Sequence, residues 1–147
     1  MAAPGVRPPA GAPDAVELAA VFAGGVVGAV ARVALADAWR HDVSSWPWAT
    51  FLVNVLGAFV LGAVAVRFAR GPGRAGVPRA LLGSGVCGAL TTFSTLQLEL
   101  VLMLRDGETA LALGYAVASL AAGLAAVTAG DRLMRARAGT AAPGVPA

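Results

Sequence analysis

The chain contains few charged residues, no lysine and only one cysteine. Charged residues make up 13% of its 147 residues and hydrophobic residues 58%, whereas an ordinary soluble domain is roughly 25% charged. This composition excludes a typical soluble globular domain and indicates a membrane protein. The length corresponds to a single domain, which leaves no room for a membrane part together with a separate enzyme domain.

Residues that commonly carry catalysis or bind metals are equally scarce. The single cysteine, Cys87, excludes an intrachain disulfide, and its apolar surroundings predict a small buried packing residue. The single histidine, His41, lies in a loop with no other metal ligand beside it, and we expect it to be solvated. The sequence shows no nucleophile with its base, no paired carboxylates and no zinc motif. We therefore expect the protein not to be an enzyme.

Long apolar windows are typical of membrane-spanning helices, which need about 20 such residues. Four windows are present, at residues 18–36, 48–66, 80–104 and 109–130. Because lipid offers no hydrogen-bond partners to the backbone, each window should form a helix. We therefore predict an all-α membrane protein with one four-helix subunit over residues 17–133. The flanking residues 1–16, which lack the apolar core of a signal peptide, and 134–147 are predicted to be disordered tails.

The basic residues, all arginines, are distributed unevenly between the two ends of these windows. Eight lie on the side shared by the tails and the second loop, namely Arg7, Arg67, Arg70, Arg74, Arg79, Arg132, Arg135 and Arg137, whereas Arg32, Arg40 and Arg105 lie on the other. The positive-inside rule then predicts a multi-pass protein of the cell inner (plasma) membrane with both termini in the cytoplasm. This placement favours lipid contact and membrane topology over a nucleic-acid partner.

Glycines and hydroxyl groups interrupt the third window. Gly83, Gly85 and Gly88 precede the segment Thr91-Thr92-Phe93-Ser94-Thr95, and both residue types weaken a helix. We predict a broken helix here, with exposed carbonyl oxygens able to hold a cation. A straight packing face rich in small residues is the alternative.

Other polar residues inside the windows must be satisfied by protein or water. The Asn54 amide offers two N–H donors to an anion, or an interhelical hydrogen bond. Arg32 lies near enough to a span end to snorkel, with anion recruitment as the weaker alternative. Glu99 would bind the cargo of a proton-coupled cation exporter, or shape the vestibule of a channel or hold a helix end. Tyr115 and Ser119 share a face of the fourth span, as a pore wall or a packing ridge.

Small residues and the number of spans bear on assembly. Gly24 and Gly28 form a GxxxG pattern in the first span, which favours close helix contact. Four spans of this size enclose little of a pathway on their own, so we expect an oligomer.

Three motifs together resemble those of the bacterial fluoride channels called Fluc or CrcB. They are GGVVGAVAR at 24–32, TFLVNVLG at 50–57 and GALTTFST at 88–95, and the resemblance covers about residues 18 to 133. It implies an antiparallel dimer of four-helix subunits with two fluoride pores. It also implies a third helix broken at its centre, where backbone carbonyls hold a structural sodium ion at the dimer centre.

The resemblance assigns roles to individual residues. The sodium ion would be held by the carbonyls of Gly88 and Thr91, Asn54 would contact fluoride, and Phe93 would turn its positive ring edge toward the anion. The other pore positions that it implies are Thr92, Ser94, Thr95, Glu99, Tyr115 and Ser119. The implied function is passive, selective fluoride efflux that reduces fluoride toxicity. Fluoride enters as neutral HF, ionises in the cytoplasm and is driven out by the membrane potential.

The chain departs from the family pattern at three positions. Leu96 replaces a second phenylalanine, Val33 an aromatic residue and Ala89 a glycine. With the uneven arginines, Leu96 leads us to hypothesise pairing with an oppositely oriented homologue, while a homodimer stays open.

Two other function classes are kept as alternatives. A small proton-coupled multidrug exporter usually needs an acid deep in its first span, where this chain has only Glu17 at the edge. A non-transporting membrane assembly protein would need neither Asn54 nor Phe93.

Overall fold

The computed structural model describes residues 14–68 and 76–140, and every regular element in these ranges is helical. The elements are α1 (Ala15–Ala38), α2 (Trp48–Arg67), α3 (Gly76–Arg79), a π-helical segment (Ala80–Cys87), α4 (Gly88–Leu90), α5 (Phe93–Arg105) and α6 (Thr109–Thr140). Four stretches are long and apolar enough to cross a membrane, at Ala15–Ala38, Trp48–Arg67, Gly76–Arg105 and Thr109–Ala138. The prediction of an all-α chain with four such spans is confirmed.

The helices are longer than the apolar windows at both ends of the subunit. The Asp14 side chain caps α1 by accepting a hydrogen bond from the Glu17 N–H at 2.7 Å. α6 continues to Thr140, seven residues beyond the predicted end of the four-helix subunit at residue 133. An Asp131–Arg135 pair spaced i, i+4 stabilises this extension. The predicted tail residues 1–13 and 141–147, together with Arg70 and Arg74, lie outside the described residues.

α1 packs against the first half of the third span at glycine positions. A Cβ atom at Gly24 would collide with the carbonyl oxygen of Leu81, and one at Gly28 with that of Val86. The backbones of the two segments therefore touch directly, which confirms the close contact expected from the GxxxG pattern. Cys87 on the same segment is buried, at 3% exposure, as predicted.

α2 and α6 form the most extensive helix pair. Glycines again permit the approach, since a Cβ at Gly62 would meet the Val127 carbonyl and one at Gly130 the Phe59 carbonyl. At one end of this pair lies a small buried cluster of Met103, Ala112 and Tyr115. Partly buried hydrophobic residues surround it, including Trp46, Phe51 and Leu96.

A tight turn joins α5 to α6 and positions this cluster. Gly107 has a φ of +85°, which a residue with a side chain rarely adopts. The Glu108 N–H donates to the Met103 carbonyl at 2.9 Å and the Gly107 N–H to that of Leu104 at 3.3 Å. This is a Schellman motif, which satisfies the last carbonyls of α5 and reverses the chain within two residues.

Candidate functional site

Helical dihedral angles stop for two residues inside the third span. α4 ends at Leu90, Thr91 has φ −74° and ψ 150°, and Thr92 has φ −146° and ψ 118°. Both residues are extended, and α5 begins at Phe93. The preceding turns are wide, since the Gly88 N–H donates to the carbonyl of Gly83 five residues earlier. Such π-type turns are frequent at functional sites because they alter which backbone groups are exposed.

The side chain of Asn54 on α2 pairs with the backbone of Thr92 in both directions. Asn54 Nδ2 donates to the Thr92 carbonyl at 3.0 Å, and the Thr92 N–H donates to Asn54 Oδ1 at 2.7 Å. The Asn54 amide thereby supplies the hydrogen-bond partners that the N–H and carbonyl of Thr92 would have in a helix. The interhelical hydrogen bond that the sequence offered as one role for Asn54 is present. The same side chain also lines a groove of about 330 Å³ with Thr91 and Phe93, so both of its predicted roles remain compatible with this geometry.

The hydrogen bonds around Thr92 redirect two amide donors. In an uninterrupted α-helix the N–H groups of Thr92 and Thr95 would bond to the carbonyls of Gly88 and Thr91. They bond instead to Asn54 Oδ1 at 2.7 Å and to Thr92 Oγ1 at 3.1 Å. The carbonyls of Gly88 and Thr91 therefore lose the donors of a regular helix. Carbonyl oxygens are suitable ligands for a hard cation, so this pair of groups fits the predicted sodium ligands chemically.

The hydroxyl groups of the segment are used locally. Thr92 Oγ1 caps α5, donates to Thr95 Oγ1 at 2.9 Å and lies 3.3 Å from Ser94 Oγ. The Thr91 hydroxyl donates to the Cys87 carbonyl at 2.8 Å. Thr92 is buried, whereas Ser94 and Phe93 are exposed on the surface of the subunit, Phe93 at 71%. Phe93, the first of the predicted pore residues on α5, therefore lies at the edge of the groove.

Arg32 reaches across from α1 to the same region. Its Nε donates to the carbonyl of Ala89 at 3.0 Å, and the contact is partly buried. The bond to the backbone of α4 gives Arg32 the structural role expected for it, and its snorkelling to the membrane surface stays a prediction. This bond ties the first span to the residue between the two candidate sodium ligands, Gly88 and Thr91.

A second polar site lies deeper in α5 and joins three spans. Thr50 Oγ1 donates to Glu99 Oε1 at 2.6 Å, and the Tyr115 hydroxyl donates to Glu99 Oε2 at 2.8 Å. Glu99 is 8% exposed and Tyr115 is fully buried. Both oxygens of the carboxylate thus have a donor, which a buried acid requires. Ser119 lies one turn further along α6, and its buried hydroxyl oxygen makes no hydrogen bond of normal geometry with the described residues.

Thr50 and His41 belong to this second site and were missed in the sequence. Thr50 could have been found because it lies four residues before Asn54 on the same face of α2. His41 comes from the first loop, and its Nε2 lies 4.0 Å from Glu99 Oε1 with 26% of the side chain exposed. As a whole residue His41 is exposed, which agrees with the expected solvated position, and its ring also lies close to Glu99. No local signal connects a loop histidine with an acid 58 residues later.

Comparison with known proteins decides the family. The family model described as "CrcB-like protein, Camphor Resistance (CrcB)" matches residues 19–131. The chain belongs to the CrcB family. The matched region of this CrcB chain contains both polar sites described above.

Several relatives of this CrcB chain carry names that specify an activity. "Fluoride-specific ion channel FluC 1" of Mycolicibacterium paratuberculosis is 49% identical over 119 residues, which cover 81% of this chain and 90% of that protein. "Fluoride-specific ion channel FluC" of Chlorobaculum tepidum is 40% identical and covers 78% of this chain and 91% of its own length. "Fluoride-specific ion channel FluC 2" of Nocardia farcinica is 36% identical over 92% of this chain and 94% of its own length.

Proposed function

We propose that this chain is a subunit of a passive, fluoride-selective ion channel that lets fluoride leave the cell and so reduces its toxicity. The observation that carries the proposal is the 49% identity over 81% of the chain with a protein named as a fluoride-specific ion channel. Four apolar spans with uncharged polar groups between them suit an anion that moves down its own electrochemical gradient.

The proposed pathway connects the two polar sites. Asn54 offers amide donors at the groove, and exposed Phe93 offers the positive edge of its ring. The remaining pathway groups are Thr92, Ser94, Thr95, Glu99, Tyr115 and Ser119. Uncharged donors replace the hydration shell of the anion without trapping it as a fixed cation would. Arg32 has the minor role of attracting anions, since its guanidinium also serves the Ala89 carbonyl.

The proposal includes a structural sodium ion held by the carbonyls of Gly88 and Thr91. The support is the redirection of the Thr92 and Thr95 N–H groups away from these carbonyls. When bound, the ion would supply positive charge to carbonyl oxygens that lack the donors of a regular helix. Its place in the proposed assembly is the centre of a dimer.

We propose an antiparallel dimer in the inner membrane, in which this subunit has both termini in the cytoplasm. The support is the exposed groove beside Phe93, which a second subunit would close, and the uneven arginine distribution. Leu96, at the position of the expected second aromatic residue, packs against the buried cluster around Met103 and Tyr115. We favour an oppositely oriented homologue as the partner over a second copy of this chain.

Fluoride efflux from liposomes tests the proposed function. Purified protein, alone and with an oppositely oriented homologue, is reconstituted in liposomes loaded with fluoride, and a fluoride electrode records the release. We expect fluoride release without chloride release, and strong suppression by Asn54→Ala and by Phe93→Ile. Phe22→Ile is the matched control, because Phe22 is similarly exposed, at 75%, and lies on α1 outside the cavities that Asn54 and Glu99 line. Absence of fluoride release in both preparations would refute the channel.

The same preparations test the sodium ion and the partner. Replacing sodium by a large organic cation should weaken the dimer during gel filtration, if the carbonyls of Gly88 and Thr91 hold the ion. Release by this chain alone at the rate of the mixture would show that a homodimer suffices. A proton-coupled exporter would instead accumulate a cationic dye when a pH gradient is applied, and an assembly protein would show neither activity.

A further inference from the structure

The first loop folds back over the second polar site. Trp46 packs edge-on against the Tyr115 ring at a centroid distance of 5.3 Å, which anchors the end of the loop to α6. The other end follows α1, and His41 between them lies with Nε2 4.0 Å from Glu99 Oε1. A cavity of about 320 Å³ beside them is lined by His41, Thr50 and Glu99. The loop therefore places the ionisable ring of His41 at the cavity beside Glu99.

Glu99 presents an electrostatic problem for an anion. Among the described residues, the hydrogen bonds to its carboxyl group come from the hydroxyl donors of Thr50 and Tyr115, which carry no positive charge. Neutral donors satisfy the oxygens but do not cancel the charge. A fluoride ion near this site is repelled unless a positive charge lies close to the carboxylate.

His41 is the ionisable group placed to supply that charge. The other charged residues near it in the chain are Asp37 in the last turn of α1 and the loop residues Arg40 and Asp42. Arg40 and Asp37 pair with each other at 3.0 Å in an exposed position. Asp42 and Arg40 line a second, wider cavity of about 700 Å³, which His41 also lines. Across from the ring, Glu99 of α5 is the charged residue that lines the smaller cavity, and α6 contributes the uncharged Tyr115 hydroxyl behind it.

We propose that His41 controls the net charge of the cavity that it lines with Thr50 and Glu99, and that fluoride conduction therefore depends on pH. A histidine ring changes charge between about pH 5 and 8. The imidazolium cancels the Glu99 carboxylate and admits the anion, whereas the neutral ring leaves the carboxylate uncompensated. Conduction therefore rises as the pH falls. This inference rests on the proposed fluoride channel and adds a positioning residue and a regulatory signal to it.

Two substitutions that fix the charge of residue 41 test the proposal. Fluoride efflux is measured with whichever liposome preparation releases fluoride, this chain alone or this chain with the homologue. The pH is the same on both sides of the membrane, at about pH 6 and then at about pH 8. The wild type should conduct about fivefold faster at the lower pH. Two unit charges about 4 Å apart in water interact by about 1 kcal/mol, which corresponds to this ratio. His41→Gln should be independent of pH at the slow rate, and His41→Arg independent of pH at the fast rate. A merely structural histidine would instead slow both variants and preserve the pH ratio.

Two controls and two possible outcomes separate this inference from the function on which it rests. Protein-free liposomes measure the leak of neutral HF at each pH, which is subtracted. Asp42→Asn changes a neighbouring loop charge that lines the outer cavity, and it should retain the wild-type pH ratio. Wild-type efflux with the same pH ratio in His41→Gln would overturn the role of His41 and leave the channel intact. Absence of wild-type efflux at both pH values would overturn both.

Discussion

The two halves of the third span are held in different ways. Residues 76–90 pack on α1 through backbone contacts at Gly24 and Gly28, with π-type turns and little side-chain bonding. Residues 93–105 form a regular α-helix whose Glu99 is bonded by side chains of α2 and α6. Glycine contacts fix where the carbonyls lie, because backbone cannot repack. Side-chain hydrogen bonds fix the charge and donors of a pathway, and they can be changed singly.

The largest effect is expected in the first half, from Gly28→Val. The added side chain would collide with the Val86 carbonyl, and neither backbone can yield without separating α1 from the third span. We expect no folded protein, measured as loss of the monodisperse peak in gel filtration in detergent. Gly25→Val is the matched control, since a Cβ at Gly25 meets no atom within 4 Å. Equal yields of the two variants would show that backbone contact does not hold this half.

The next largest effect is expected from Asn54→Ala, because Asn54 bonds the backbone of Thr92, which lies between the two halves of the third span. Both hydrogen bonds to Thr92 are lost, which leaves its buried N–H and carbonyl without partners. We expect a loss of about 2 to 3 kcal/mol in the free energy of unfolding in detergent. Asn54→Asp should lose at least as much, since its carboxylate accepts from the Thr92 N–H but also faces the Thr92 carbonyl and places a charge inside the span. Wild-type stability of either variant would argue against a structural role for the Asn54–Thr92 pair.

A smaller effect is expected in the second half, from Tyr115→Phe. This change keeps the buried ring and removes only the hydroxyl that donates to Glu99 Oε2. We expect a loss of about 1 to 2 kcal/mol in the free energy of unfolding, because the other oxygen keeps its donor Thr50. The double variant with Thr50→Val should lose more than the sum of the single changes, since it leaves the carboxylate with neither donor. Additive losses would indicate that water replaces the hydroxyls.

The smallest effect is expected outside both halves, from Asp131→Asn. Asp131 and Arg135 form an exposed pair spaced i, i+4 at 2.7 Å on α6. Exposed pairs of this kind contribute little because water and salt screen them. We expect a melting temperature close to that of the wild type and unchanged fluoride efflux. A large drop would show that the helix extension contributes to the fold.

The comparison of the two halves also shows what a sequence can predict. The spans and the glycine contact at Gly24 and Gly28 depend on local composition and spacing, and these predictions are confirmed. Singling out Asn54 and Thr92 was also possible, because polar groups in an apolar run are conspicuous. Their mutual hydrogen bonds were not predictable, since the two residues are 38 positions apart.

The missed partners share one physical reason. Arg32 contacts the Ala89 carbonyl, and His41 and Thr50 contact Glu99, across segments that are far apart in the sequence. Each contact depends on how the helices and the first loop pack against one another, which a single sequence does not display. The extent of α6 was underestimated for a different reason, because charged residues end an apolar window but do not end a helix.

α6 is longer than a bilayer requires. Its 32 residues extend about 48 Å, whereas a hydrocarbon core is about 30 Å thick. The uncharged part, residues 109–130, accounts for about 33 Å, so the part that follows projects past the lipid headgroups as a rigid post. A fluorophore or an epitope at Ala138, about 12 Å past the end of the uncharged part, would stand clear of the lipid. Its accessibility to a membrane-impermeant quencher would report directly which way the subunit faces.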